Sequence, residues 1–152
     1  MTGQPASVRV SVHVRADPKA AFAAFTDDID SWYVKDRHTL ADPARAVAIT
    51  FEPGAGGRLV EVYDRDTGDG REIGRVTVWE PGRRLAFTDE RGTEVEVWFE
   101  PAGDRTRVTL EHRGLERLRP DLATEHARHG WRLLLPWYQQ YVDHKPPDRS
   151  KE

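Results

Sequence analysis

The short connections between predicted strands constrain the fold of this chain more than any other feature. Within residues 47–112, segments with the alternation or β-rich composition of strands are separated by turn sequences such as PGAGG, DRDTGDG and PAGD. Parallel neighbours would need crossovers of a dozen residues or more, so these connections require antiparallel pairing. One more strand precedes them, where Val8, Val10, Val12 and Val14 alternate with polar residues. The sequence therefore predicts a seven-stranded antiparallel sheet.

Two short helices and one long helix are predicted around these strands. Asp17 followed by Pro18 is typical of a helix N-terminus, and Ile29 and Trp32 mark a second short helical turn. Near the C-terminus, residues 121–143 have a helical repeat that would extend over about 35 Å. The order of elements predicts a sheet that curls around this last helix.

One face of the long helix is expected to pack against the sheet. Apolar or semi-apolar positions that recur at steps of three and four define this face: Leu122, His126, Gly130, Leu133, Leu134, Trp137 and Tyr141. We expect Leu122, Leu133 and Tyr141 to close the core. Gly130, Leu134 and Trp137 are expected to lie beside a ligand.

Composition argues against several classes of protein. The formal net charge is only −3, from 23 basic and 26 acidic residues, which argues against a nucleic-acid partner. The chain has no cysteine, so disulfides and thiolate chemistry are excluded. It also lacks a signal-peptide pattern and the run of ~20 apolar residues that a membrane span requires. We expect a cytoplasmic protein with one domain over residues 1–145, a disordered tail over residues 146–152 and no cofactor.

Several stretches of the chain resemble, in the same order, those of the START-like (SRPBCC) superfamily. They are RADPKAAFAAFTD, GGRLVEVYD, GRVTVWEPGRRLAFT, TRVTLEHRGL and HGWRLLLPWYQQYV. Within the superfamily they are similar to the AHSA-type group, typified by the C-terminal domain of the activator of the heat-shock-protein ATPase. The resemblance implies an α+β helix-grip fold, in which a curved seven-stranded antiparallel sheet wraps around a long C-terminal helix. Two short helices would lie between strands one and two, and the space between sheet and helix would bind apolar ligands.

Two residues are candidates for acid–base chemistry. His112 is in phase with Val108 and Leu110 on its strand, so it is expected to point inward. It then either forms a hydrogen bond as part of the core or acts as an acid, base or ligand anchor. The superfamily also includes enzymes of the polyketide cyclase or aromatase kind. If the chain is such an enzyme, His112 together with Tyr63 would be catalytic. No residue pattern supports a metal site.

The aromatic residues indicate where a ligand would bind. They exceed what a small core requires, and a sheet around a helix leaves a space that a small molecule can occupy. The expected lining residues are Trp32, Phe51, Tyr63, Phe87, His112, Gly130, Leu134 and Trp137. The alternative is that the same rings fill this space as a packed core.

Two tryptophans are expected on the outer face of the sheet. If Val95 and Val97 face the helix, Trp98 faces outward, and Trp79 does so by the same reasoning from Val76 and Val78. Exposed apolar surface often marks an interface. Trp79 and Trp98 therefore suggest a contact for a homodimer or another partner.

Three functions are consistent with these observations. The first is a noncatalytic carrier or sensor of a small apolar or amphipathic molecule, without a nucleic-acid partner or a membrane span. The second is the cyclase-like enzyme, and the third is a chaperone-associated protein like the activator that gives the group its name. The third is less well supported, because that eukaryotic activator has an additional N-terminal chaperone-binding domain for which 152 residues leave no room.

Overall fold

The computed structural model describes residues 7–33, 42, 44–123 and 130–144. The strands are β1 (Ser7–Val14), β2 (Ala48–Phe51), β3 (Arg58–Val62), β4 (Gly70–Glu80), β5 (Arg84–Asp89), β6 (Glu94–Ala102) and β7 (Arg105–Arg113). They form one seven-stranded antiparallel sheet in the order β1-β7-β6-β5-β4-β3-β2. The helices are α1 (Pro18–Thr26), α2 (Ile29–Trp32) and α3 (Gly130–His144), with a 3-10 helix at Leu115–Arg117.

The curled sheet and the C-terminal helix form the predicted helix-grip fold. Helix α3 packs against β1 and against α1 and α2, which connect β1 to β2. We call the side of the sheet that faces the helices the concave face; on β6 it presents Val95, Val97 and Phe99. The opposite, convex face presents Glu96 and Trp98, as the alternation on β6 predicted. Most of the core therefore lies between the concave face and the helices.

The start of α1 follows from its sequence. The Asp17 side chain accepts a hydrogen bond of 2.7 Å from the Ala20 amide, and Pro18 occupies the first turn, where its missing amide hydrogen costs nothing. Phe22 and Phe25, three residues apart on α1, both point into the core.

The predicted face of the C-terminal helix is wrong at Leu133 and Trp137, but Leu134 is buried and Tyr141 packs against the core as predicted. Leu122 packs against a second, smaller cluster that includes Leu115 and Leu118. Trp131, Leu134, Leu135, Tyr138 and Val142 are buried. In contrast, the side chain predicted to close the core at Leu133 is 57% exposed, and Trp137, predicted to contact a ligand, is 52% exposed. Both sets of residues recur at steps of three and four, so helical spacing alone does not distinguish them. The structure buries the set that includes Trp131 and Tyr138, whose rings pack against α1 and α2.

Residues 120–123 and α3 are both helical, and together they agree to within one residue at each end with the long helix predicted over residues 121–143. The residues between them are outside the described part of the chain, and so are residues 146–152, where a tail was predicted. The predicted domain limits stay predictions. In the described part of the chain, no helix is both long and apolar enough to cross a bilayer.

The prediction that Trp79 faces outward is also wrong. Val76 is paired with Phe87 and Val78 with Ala86, so Thr77 is an extra residue on β4. Such a β-bulge shifts the alternation of a strand by one residue. Beyond the bulge, Trp79 is paired with the fully buried Leu85 and its ring contacts Phe22 at 5.2 Å. Trp79 therefore belongs to the concave face, and it cannot form the predicted contact surface together with Trp98.

Each edge strand of the sheet forms a hydrogen bond with a side chain of a neighbouring helix. At β1, Gln139 of α3 donates to the carbonyl of His13 at 2.9 Å. At β2, Asp30 accepts a hydrogen bond of 3.0 Å from the Ile49 amide. Unpaired edge groups would otherwise be free to pair with another chain. These two contacts reduce that tendency.

Candidate functional site

The space between the concave face and the helices contains a continuous cluster of aromatic rings. Phe25 lies at its centre, within 5.1 Å of Trp32 and 5.2 Å of Tyr138, measured between ring centroids. It also contacts Phe99 at 6.1 Å and is stacked on Trp131 at 6.0 Å. Edge-to-face and offset arrangements of this kind are favourable beyond the burial of area. The cluster joins α1, α2 and α3 to the sheet.

Trp131 connects the central rings to those at one end of the space. Its ring lies 6.4 Å from Trp32, 6.2 Å from Tyr33 and 6.4 Å from Phe87. Phe87 in turn contacts Phe51 at 5.2 Å. Tyr33 and Phe51 are only partly buried, whereas Trp131 and Phe87 are buried. The aromatic cluster therefore reaches the surface at Tyr33 and Phe51.

The predicted lining residues occupy different surroundings. Trp32, Phe87 and Leu134 are buried in the same core cluster, and Phe51 packs against it from the partly exposed end. Gly130 is half-buried at the first position of α3, beside Trp131. Trp137 lies outside this space. Trp131 and Phe25 belong to this cluster as well, although neither was among the predicted lining residues.

His112 points inward, as its strand phase predicted. It is paired with Val8 on β1 and Val95 on β6, and its side chain is 2% exposed. Its Nε2 atom lies 2.8 Å from the hydroxyl of Thr93, which is also buried. A buried polar side chain requires such a partner. The hydrogen bond explains how the core accommodates the imidazole ring.

Tyr63 is hydrogen bonded to a buried carboxylate that the sequence predictions missed. The Tyr63 hydroxyl donates to Glu61 Oε2 at 2.6 Å, and the same oxygen accepts a hydrogen bond of 2.8 Å from the Asp42 amide. Glu61 is paired with Ile49, a fully buried residue of the core, and its own exposure is 0%. The hydrogen bond to Glu61, together with burial, raises the pKa of Tyr63 to about 12. Glu61 is two residues from the buried Leu59 on β3, so both side chains point to the same face of the sheet. Strand alternation could therefore have predicted that Glu61 points inward.

The two candidate catalytic residues lie on different strands of the sheet. Tyr63 follows β3 and His112 is on β7, and β4, β5 and β6 lie between them in the sheet order. Four strand-to-strand steps correspond to roughly 19 Å along the sheet. Each residue has its own polar partner, Glu61 for Tyr63 and Thr93 for His112. They therefore form two separate polar pairs.

The convex face carries charged side chains around Trp98. The Arg9 guanidinium lies 5.7 Å from the Trp98 ring, in a cation–π arrangement. Arg113 forms ion pairs with Glu94, with Glu96 at 2.8 Å and with Glu111 at 3.0 Å. These carboxylates raise the pKa of the Arg113 guanidinium. Beside them is a shallow trough of about 460 Å³, lined by Arg9, Ser11, Trp98, Glu100, Arg107 and Thr109.

Comparison with known proteins agrees with the geometry of the fold. Residues 15–142 match the family described as Activator of Hsp90 ATPase homolog 1-like protein. No curated protein sequence shows a significant match. Among solved structures, the Aha1 dimer from Colwellia psychrerythraea is similar, with 17% identity, a TM-score of 0.64, and coverage of 91% of this chain and 96% of that one.

Two further solved structures are similar to this chain. CalU16 from Micromonospora echinospora has 20% identity and a TM-score of 0.61, with 91% of this chain and 77% of that chain covered. DynU16, a putative protein in the dynemicin biosynthetic locus, has 20% identity and a TM-score of 0.62, with 94% of this chain and 49% of that chain covered. At these identities the similarity shows the fold alone.

Proposed function

The chain belongs to the family of Activator of Hsp90 ATPase homolog 1-like proteins, and we propose that it binds a small, largely apolar molecule between the concave face and α3, as a carrier or sensor. The observation that carries this proposal is the composition of that space. Aromatic and aliphatic side chains line it, and two polar pairs, His112 with Thr93 and Tyr63 with Glu61, face the same side of the sheet. Apolar walls with a few placed polar groups are typical of small-molecule sites.

The buried polar pairs support a ligand-binding role over a purely structural core. Burying a carboxylate such as Glu61 costs free energy even when hydrogen bonds offset part of it. A core selected only for stability would favour an apolar side chain at this position. Residues that are less favourable for stability than an available alternative occur mostly at functional sites. The polar pairs would orient a ligand whose remaining surface contacts the rings.

Native mass spectrometry of the purified protein tests the proposal. We expect a fraction of the protein to retain a small molecule, which can be released and identified. The released molecule should then perturb the NMR signals of Phe25, Phe51 and Phe87 when it is added back to ligand-free protein. A protein that retains nothing, and whose core signals do not respond to a panel of apolar compounds, would contradict the proposal.

A second candidate is a cyclase-like enzyme that acts on such a ligand. The 2.6 Å hydrogen bond between Tyr63 and Glu61 favours it, since a phenol and a carboxylate in contact can pass a proton to or from a bound substrate. His112 would be the other acid or base. Once a bound molecule is identified, its turnover should fall in His112→Asn and in Tyr63→Phe. Unchanged turnover in both variants would remove the enzymatic role.

The convex face is the proposed contact of a homodimer, with Trp98 at its centre. The similar Aha1 structure is named as a dimer. Size-exclusion chromatography with light scattering should show a dimer that Trp98→Ala weakens. A dimer unaffected by this substitution would place the contact elsewhere. Activation of a chaperone ATPase and a cytoplasmic location both stay predictions; an Hsp90 ATPase assay with added protein tests the first of them.

A further inference from the structure

Two of the residues that line the trough on the convex face are arginines with weak partners. Arg107 Nη2 lies 3.8 Å from Glu100 Oε2, which is too long for a hydrogen bond, and both side chains are about half exposed. Arg9 donates one hydrogen bond of 3.3 Å to Glu111. A guanidinium has five N–H donors, so both arginines can still donate to a ligand.

The lining of the trough carries a small excess of positive charge. It has two arginines, Arg9 and Arg107, and one glutamate, Glu100. Glu111, the partner of Arg9, also forms an ion pair with Arg113, so it neutralises Arg9 only in part. The electrostatic complement of the trough is therefore a ligand with one negative charge.

The floor of the trough is formed by two hydroxyls. Ser11 and Thr109 are the shortest side chains of the lining, and they are paired across β1 and β7. Their hydroxyl oxygens lie 3.0 Å apart. One hydroxyl donates to the other, so the second keeps its O–H for another acceptor. This O–H is available to an anion that lies between the two arginines.

Trp98 is the one aromatic side chain in the lining of the trough. It is paired with Thr109 across β6 and β7, and the Arg9 guanidinium lies 5.7 Å from the centre of its ring. A guanidinium is a planar group, and its position over the indole shows that the ring accepts flat groups from the side of the trough. The apolar part of a ligand therefore has one flat surface to contact.

We propose that the trough binds a small aromatic carboxylate. Its ring packs against Trp98, and its carboxylate accepts hydrogen bonds from Arg107 and from the hydroxyl pair of Ser11 and Thr109. The volume of about 460 Å³ is within the range of small-molecule sites. This site is on the opposite side of the sheet from the interior space, so it does not depend on the interior ligand.

Three probes separate the charge of the ligand from its shape. They are 2-naphthoate, the neutral 2-naphthalenemethanol with the same rings, and cyclohexanecarboxylate with the same charge but no flat ring. Because the proposed homodimer contact uses the same surface, binding is measured by saturation-transfer NMR on protein diluted until light scattering shows the monomer.

The variants Arg107→Gln and Trp98→Ala each have a matched control. Arg83→Gln removes another exposed arginine that has a glutamate 3.8 Å away, and Trp137→Ala removes a tryptophan that is exposed on α3. Circular dichroism establishes that each variant is folded. In nitrogen-15 spectra, the indole N–H signal of Trp98 is identified by its loss in Trp98→Phe.

We expect the wild type to bind 2-naphthoate about tenfold more tightly than 2-naphthalenemethanol. Arg107→Gln should weaken the binding of 2-naphthoate by about tenfold and leave that of 2-naphthalenemethanol unchanged. Trp98→Ala should weaken the binding of both by about fivefold. Both controls should equal the wild type, and 2-naphthoate should shift the indole N–H signal of Trp98.

Several results would overturn the proposal. Equal affinity for 2-naphthoate in the wild type and Arg107→Gln rejects the carboxylate contact, and equal affinity for cyclohexanecarboxylate and 2-naphthoate rejects the flat ring. An unshifted Trp98 signal, or an equal loss in Trp98→Ala and Trp137→Ala, places binding outside the trough. A monomer that binds none of the three probes has no such site.

Discussion

Trp79 and Trp98 lie on opposite faces of one sheet and show how differently those faces are built. Trp79 contacts the ring of Phe22 in the core, whereas Trp98 lies under the guanidinium of Arg9 at the surface. On the concave face, rings contact rings, and the buried Glu61 and His112 are hydrogen bonded to Tyr63 and Thr93. On the convex face, arginines and glutamates alternate across strands and remain in contact with water.

The difference implies that substitutions on the two faces have unequal effects on stability. Buried rings lose transfer free energy and leave cavities when they are truncated. Exposed ion pairs contribute little, because water and salt screen them. Stability should therefore depend mainly on the concave face, and the following substitutions test this from the largest expected effect to the smallest.

Truncation of Phe25 should have the largest effect. Phe25 is fully buried and contacts the rings of Trp32, Trp131 and Tyr138. Phe25→Ala should reduce the free energy of unfolding by about 3–5 kcal/mol. Urea denaturation followed by circular dichroism measures the loss. Leu133→Ala, an exposed control on α3, should change stability by less than about 0.5 kcal/mol; similar losses in both variants would contradict the comparison.

Replacement of the buried carboxylate should have the next largest effect. In Glu61→Gln the side chain no longer offers an anionic oxygen to the Tyr63 hydroxyl and the Asp42 amide, so we expect a loss of about 1–3 kcal/mol. The pKa of Tyr63 should fall from about 12 toward its ordinary value near 10. Absorbance of tyrosinate during an alkaline titration measures this shift. Tyr63→Phe, which lacks that phenol, identifies its contribution to the titration curve.

Removal of the Tyr138 hydroxyl should have a smaller effect at neutral pH. Tyr138→Phe loses the hydrogen bond to the Ala21 carbonyl, at a cost of about 1 kcal/mol. Burial raises the pKa of Tyr138 above its ordinary value, so the folded state holds the phenol proton more tightly than the unfolded chain does. The contribution of Tyr138 is present below about pH 10 and is lost as pH rises further.

Denaturation at several alkaline pH values tests this sign. The wild type should lose stability as the pH rises above about 10, and Tyr138→Phe should lose less over the same interval. If the wild type and Tyr138→Phe lost equal stability over this pH interval, the folded state would not raise the pKa of the Tyr138 hydroxyl.

Substitution on the convex face should have the smallest effect. Arg113→Ala removes the partner of Glu94, Glu96 and Glu111, and we expect a loss of up to about 1 kcal/mol, smaller at high salt. The exposed Arg83, whose Nε atom is 3.8 Å from Glu80, is the matched control and its replacement by alanine should be neutral. A loss at Arg113 as large as that at Phe25 would show that the two faces do not differ as proposed.

Local sequence patterns predicted the parts of the structure that depend on neighbouring residues. Short turns required antiparallel pairing, the Asp17 cap fixed the start of α1, and strict alternation placed His112 inward and Trp98 outward. Each of these features follows from backbone geometry within a few residues. The resemblance to a known superfamily supplied the arrangement of the sheet around the helix, which local patterns alone do not specify.

Only the tertiary structure decided which residues meet in the interior. A single extra residue, Thr77, reversed the direction of Trp79, and alternation cannot reveal a bulge before the pairing is known. Two helical stripes of equal spacing were available on α3, and packing against Phe25 and the Ala21 carbonyl selected the one with Trp131 and Tyr138. The sequence determined the elements and their order, because periodicity is local; the contents of the candidate site depended on contacts between residues far apart in the chain.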